Sequence, residues 1–356
     1  MENVKVVGND FCGSQKAVTS TLYPSLRELH LEDMPKLEEW VEDVTSTCVN
    51  YGQSVFPQLQ EFEIFNCPTL RKIPISSFMS LKVLKIEDLE SSMILEMISR
   101  DVSSLTSLKL KNIKDGEGSS FSSSSSNMES IINVLLRNNS QSFRKLHLDD
   151  CKGLKRLVLG VSLDSLRIHD CPHLISINLV QGSVSLTDLS IRNLPSSLLD
   201  RVFNQIQSST VVDLYLGPFS DELVEFPLPF SSSSSSSFPN LIRLQLCGWE
   251  NVRSIALVEQ LQFTAFPALT ELIISDFEGV SGLLLPIAKL PSLKILVIRN
   301  CKNLESLPMF DESHCLERLE ISGCPILKER YCKGSGPEWF KIKHIPIVNL
   351  GYSLKL

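Results

Sequence analysis

The stretch Leu293-Lys294-Ile295-Leu296-Val297-Ile298-Arg299-Asn300-Cys301-Lys302-Asn303-Leu304-Glu305-Ser306-Leu307-Pro308 describes one layer of a repeated structure. Leu296 and Ile298 alternate with Val297 and Arg299, so they fall on one side of a short strand. Leu293 and Cys301 close the turns on either side of that strand. Leu304 and Leu307 follow with polar spacers, and Pro308 denies the chain a backbone donor, which resists a long helix. Strand, turn and irregular return together form a layer that cannot cover its own apolar face.

The same phrase recurs along the chain with conservative apolar swaps. Clear copies are Leu26-Leu29-Leu31, Leu59-Phe62-Ile64-Cys67, Leu81-Leu84-Ile86, Leu105-Leu108-Leu110, Phe143-Leu146-Leu148-Cys151 and Leu163-Leu166-Ile168-Cys171. They continue as Leu186-Leu189-Ile191, Val211-Leu214-Leu216, Leu241-Leu244-Leu246, Leu269-Leu272-Ile274 and Leu316-Leu319-Ile321-Cys324. That makes about twelve phased copies, mostly spaced by roughly 20–30 residues, the period of a leucine-rich repeat. The fold expected is an α/β solenoid, a leucine-rich-repeat horseshoe. Its concave side is a parallel sheet, and its convex side consists of turns, 3₁₀ segments and a few short helices. Stacked layers share one core, at roughly 1.5–3 kcal/mol per fully buried Leu or Ile.

Three stretches show helical spacing of apolar residues: Ser92–Arg100, Asn127–Asn138 and Ser196–Gln207. Serine runs at 119–126 and 231–237 cannot bury apolar surface and read as loops. The organisation expected is an N-terminal partial repeat or junction over 1–22, irregular repeats over 23–330, and a C-terminal cap over 331–356. In that cap Trp339 and Ile345 are expected to cover the last layer.

The formal net charge of −7 does not favour nucleic acid or an anionic membrane as partner. No run approaches the ~18 apolar residues of a membrane span. The start, Met1-Glu2-Asn3-Val4-Lys5, lacks the apolar core of a secretory signal, which points to a cytoplasmic protein, with the nucleus as the alternative. Ten cysteines in 356 residues are too dilute for a disulfide scaffold and read as reduced thiols.

The ends of the chain add a family likeness. Tyr23-Pro24-Ser25-Leu26-Arg27-Glu28-Leu29-His30-Leu31-Glu32-Asp33-Met34-Pro35-Lys36-Leu37-Glu38-Glu39-Trp40 resembles a phrase of plant coiled-coil nucleotide-binding leucine-rich-repeat (NBS-LRR) disease-resistance proteins. Asn3–Gly13 is similar to the junction before that phrase. Cys324-Pro325-Ile326-Leu327-Lys328-Glu329-Arg330-Tyr331-Cys332 and Gly336–Pro346 resemble the family's closing phrase. The resemblance implies recognition of a pathogen effector or host guard target in plant defence, together with restraint of a nucleotide-binding switch domain. The chain departs from the family in having neither a phosphate-binding G-x-x-x-x-G-K-[ST] loop nor a heptad run, so it matches the C-terminal repeat region only. A repeat adaptor for a ubiquitin ligase, or a receptor fragment without a role of its own, are the alternative readings.

No constellation points to catalysis or to a cofactor. Cys67, Cys151, Cys171, Cys301 and Cys324 share one phase of the repeat, where a small buried thiol donating to a turn is expected. His169 and His173 flank Cys171 without zinc-site spacing, and no nucleophile elbow is present. The positions that speak to binding are those pointing out of the sheet. Lys85, Lys109, His147 and Arg167 should stack into a basic strip, joined at the next outward position by Lys111, His169 and Arg192. Tyr215, Ile273 and Val297 should form an apolar patch. The expected ligand surface is this strip and patch.

Overall fold

The computed structural model describes residues 3–8, 23–40, 56–74, 78–114, 127–179, 185–219, 225–226, 238–252, 254–255, 266–282, 287–311 and 314–351. Both serine runs lie outside them. The chain divides into two compact units, Met1–Val184 and Ser185–Leu356.

In the first unit, six strands pair in parallel, each with the next in sequence: β1 (Glu28–Glu32), β2 (Glu61–Phe65), β3 (Val83–Leu89), β4 (Ser107–Ile113), β5 (Lys145–Asp149) and β6 (Ser165–His169). In the second unit, seven strands pair the same way: β7 (Asp188–Arg192), β8 (Asp213–Leu216), β9 (Arg243–Cys247), β10 (Glu271–Ser275), β11 (Ile295–Arg299), β12 (Arg318–Ser322) and β13 (Ile347–Asn349). The register keeps equivalent repeat positions side by side, as in Leu146 beside Leu166 and Leu148 beside Ile168. This is a leucine-rich-repeat solenoid.

One layer shows how the phrase folds. Leu163, Leu166, Ile168, Cys171, Leu174 and Ile177 are all buried, while Arg167 between them is exposed. A second row of short parallel pairs runs behind the main strands. It joins Val6–Val7 to Glu39–Trp40, Arg156–Leu159 to Ser176–Leu179, and Glu225–Phe226 to Ser254–Ile255. Turns, 3₁₀ segments and a few short helices are expected there; the structure adds short strands, because the second Leu/Ile pair of the repeat, such as Leu157 and Leu159, alternates and buries its inward residues.

Helices form where apolar spacing changes from two to three or four. Among the described residues they are α1 (Met93–Asp101), α2 (Met128–Asn138), α3 (Ser197–Phe203) and α4 (Pro325–Arg330). On α2, Met128, Ile131, Ile132, Leu135 and Leu136 are buried, and the Asn127 side chain accepts from the Ser130 N–H at 2.8 Å, capping the start. The buried Asn139 ends the helix and ties it to the preceding layer. Its carboxamide oxygen accepts from the Leu105 N–H at 2.6 Å, and its nitrogen donates to the carbonyls of Val102 and Leu135. Among the described residues no helix is long and apolar enough to cross a membrane.

The turn that leaves each main strand has its own chemistry. Asp33, Asn66, Asp88, Asn112, Asp150, Asp170, Asn193, Asp276 and Asn300 adopt left-handed backbone conformations, with φ from 48° to 61°. Asn and Asp tolerate that region better than other side chains because they can hydrogen-bond locally. Here the side chains also bond between layers: Asn66 Nδ2 donates to Asp33 at 2.8 Å, Asn112 to Asp88 at 2.7 Å, and Asn300 to Asp276 at 3.0 Å. At the same position Gly323 has φ +66°, and a Cβ there would lie 2.4 Å from the Asn300 side-chain oxygen.

The C-terminal segment lays β13 alongside β12, with Leu319 beside Val348. The aromatic side chain buried there is Tyr331; Trp339, which the sequence put forward, is only half-buried. The Tyr331 hydroxyl accepts from the Leu307 N–H at 2.9 Å and donates to Glu338 at 2.6 Å. Ile342 and Ile345 are buried with it.

Two stability measurements check this account. Asn300→Ala should cost about 2 kcal/mol in urea unfolding, and Asn300→Gly about half that, because glycine removes the left-handed penalty but not the lost hydrogen bond. Equal losses would mean that backbone conformation plays no part at this turn. Tyr331→Phe should cost about 1–3 kcal/mol by stranding the buried Leu307 N–H, and a neutral result would show that this amide finds another acceptor.

Candidate functional site

The parallel register turns each outward repeat position into a row. In the first unit the middle row reads His30, Glu63, Lys85, Lys109, His147 and Arg167. The row beside it reads Glu32, Phe65, Glu87, Lys111, Asp149 and His169. Lys85, Lys109, His147 and Arg167 therefore do stack, with Lys111 and His169 next to them.

The strip is not uniformly basic. Lys85 Nζ donates to Glu61 at 2.7 Å and also to Glu63. Lys109 Nζ donates to Glu87 at 2.5 Å, and Lys111 Nζ lies 3.8 Å from the same carboxylate. His30 Nδ1 is 3.2 Å from Glu63. Sequence reasoning followed the cations and passed over the carboxylates interleaved with them. On β1–β3 the outward face carries Glu28, Glu32, Glu61, Glu63 and Glu87 against Lys85. On β4–β6 it carries Lys109, Lys111, Lys145 and Arg167 against Asp149. The face thus passes from acidic to basic across one sheet.

Within the acidic part, the hydrogen bond from Lys85 holds the Glu63 carboxyl below its usual range, although partial burial opposes it. Phe65 lies in the same region and is 40% exposed, an aromatic ring on an otherwise charged face. It shares the second outward row with Lys111 and His169, which the sequence pattern brings forward as cations, whereas an apolar ring there has the look of a core residue.

In the second unit the row reads Ser190, Tyr215, Gln245, Ile273, Val297 and Glu320. The expected apolar patch is smaller here. Val297 is only 4% exposed, because its short side chain stands between Ile273 and Glu320 on strands about 4.8 Å away. Ile273, Tyr215 and Arg192 are half-buried. Burial, with Cys247 close by, pushes the Tyr215 phenol above its usual range. Arg243 bridges Asp213 and Glu271, both at 2.8 Å, so charge on this face is also paired.

The cysteines behave as turn donors. Cys171 Sγ donates to the His169 carbonyl at 3.1 Å, Cys301 to Arg299 at 3.3 Å, and Cys324 to Ser322 at 3.3 Å. A hydrogen bond with Cys171 and burial raise the Cys151 thiol well above its ordinary value, and burial raises Cys67. Such thiols are poor nucleophiles at neutral pH. The layers also bring His169 against His147 and Asp149, with ligating atoms all within 4.8 Å of one another. His173, the other histidine flanking Cys171, is exposed on the following turn.

No family model matches the chain, and no curated protein does. Among solved structures, a leucine rich cell surface protein from Faecalibacterium prausnitzii A2-165 is matched at 13% identity and a TM-score of 0.21, over 99% of this chain and 84% of that one. A likeness that remote adds nothing to the geometry above.

The ion-pair lattice makes a pH-dependent prediction. The folded-state pKa of Glu63 lies below the unfolded value of about 4.3. Its contribution is therefore present above that pH and is lost as pH falls through the folded value. Lys85→Met should lower stability at pH 7 by under about 1 kcal/mol, given the exposure of the pair, and less in high salt. The gap to the unsubstituted protein should close in acid; a gap in urea unfolding that persists at pH 3 would assign the loss to packing by the lysine stem.

Proposed function

We propose that this chain is a non-catalytic protein-binding domain of the plant intracellular immune-receptor type, and that it engages its ligand through the outward face of β1–β6. The observation that carries this reading is the face itself. Acidic β1–β3, basic β4–β6 and the exposed ring of Phe65 form one sheet face, and from β2 to β6 the inward L-x-L residues behind it are buried in a core. Charge segregated in this way steers encounter and fixes register between partners, while an aromatic side chain supplies the apolar anchor. Lys109, Lys111 and Arg167, with His147 and His169 between them, offer a ligand the basic contacts, and Lys85 joins the acidic cluster. On the second unit, taken by itself, Arg192, Tyr215 and Ile273 are the proposed ligand contacts, with Val297 beside Ile273 on the neighbouring strand.

The immune-receptor part of the reading is supported by the phrases at 23–40 and 324–346 that resemble plant resistance proteins. On that reading the partner is a pathogen effector or a host target in the cytoplasm. A nucleotide-binding switch domain is the other partner the resemblance implies.

The test is affinity capture from plant tissue with the purified chain, run beside the Lys111→Glu/Arg167→Glu double reversal and Phe65→Ala. Each variant should lose a shared set of bound proteins by about tenfold or more while keeping its circular dichroism. Recovery of the same proteins in the same amounts by all three would remove this face as the ligand surface.

A further inference from the structure

We propose that His147, Asp149 and His169 form a binding site for a borderline divalent transition ion of the zinc class, built across two neighbouring repeat layers. His147 and Asp149 are two residues apart on β5, so they stand on the same side of the sheet. His169 lies on β6 in direct register with Asp149. The two imidazoles meet edge to face, with ring centroids 5.2 Å apart. One ligating atom from each of the three residues falls within 4.8 Å of the others, and all three side chains are half-buried.

The donor set selects the ion. Two imidazole nitrogens with one carboxylate oxygen suit zinc, cobalt or nickel; calcium and magnesium need mostly oxygen ligands. With metal–ligand bonds of about 2.0–2.1 Å, tetrahedral donors sit about 3.3 Å apart. The three groups must therefore close in by up to about 1.5 Å, which side-chain torsions can supply without moving the strands. Three protein ligands leave a fourth position for water or for a donor from another molecule.

The surrounding charge sets the strength. Lys109 and Lys111 are both drawn to Glu87, Lys109 at 2.5 Å and Lys111 at 3.8 Å, and Arg167 is exposed. These cations lower the affinity of a dication at the site. Each ligand belongs to a strand of the core sheet, and the residues between and behind them, Leu146, Leu148, Leu166 and Ile168, are buried, so the backbone positions are held before metal arrives.

Titration calorimetry of the full chain with Zn²⁺ alone, in a Cys332→Ser background that removes the thiol exposed among the described residues, tests this site. One ion per chain should bind, and His147→Ala or His169→Ala should each weaken binding by about tenfold or more, with Asp149→Asn weakening it less. Co²⁺ should give a visible d–d spectrum without thiolate charge transfer, lost in the double histidine variant. No saturable binding, or binding unchanged in the His147→Ala/His169→Ala variant with its circular dichroism intact, would overturn the proposal. Because the metal alone is the ligand, these results are independent of which protein the face binds.

Discussion

Every layer of this protein depends on the layers beside it to cover its apolar side chains. A strand of five residues with two inward leucines has no second face to fold against, and the return segment shields only one end of it. Leu146 and Leu148 are almost wholly removed from solvent, yet their registered strand neighbours are Leu108 and Leu110 on one side and Leu166 and Ile168 on the other. Stability in such an array is a sum of layer terms and nearest-neighbour terms. The repeat spacing, the register and the outward rows all follow from that one requirement.

Stacking works only if each chain can leave its strand at the same point and in the same direction. The left-handed Asn or Asp after the strand supplies that turn, and the carboxamide-to-carboxylate bonds between successive layers hold the turns in step. The thiols one position further on fill the space beneath and donate to the carbonyls of the strand end. Tyr331 does comparable work near the C-terminus, where its hydroxyl holds the Leu307 amide.

The strands, their direction and their inward residues were legible in the sequence because period two and phased leucines have only one economical solution. The three helices on the return side were legible for a similar reason. The left-handed positions stand in the sequence as an Asn or Asp after the strand, four of them directly before a cysteine (Asn66, Asp150, Asp170 and Asn300), but the motif is defined by the apolar and thiol positions and leaves the residue between them unspecified. The candidate surface was legible only in part. Listing Lys85, Lys109 and Arg167 by phase gives their stacking, but a charge strip is a property of every outward side chain: Glu63 stands in the same row, Glu87 in the row of Lys111, and Glu61 on a third row. Val297 failed as an exposed residue because accessibility depends on the length of the side chains beside it. The grouping of His147, Asp149 and His169 depends on the register of Asp149 with His169 on the next strand, which motif spacing does not encode.

The direct test of layer interdependence is hydrogen exchange after a single core truncation, Leu148→Ala. Deleting this side chain opens a cavity costing about 2–5 kcal/mol. Nearest-neighbour stacking predicts that amides of Ser107–Ile113 and Ser165–His169 lose protection together with Lys145–Asp149, and that the effect fades at Glu28–Glu32. Loss confined to Lys145–Asp149, with both flanking strands unchanged, would contradict it.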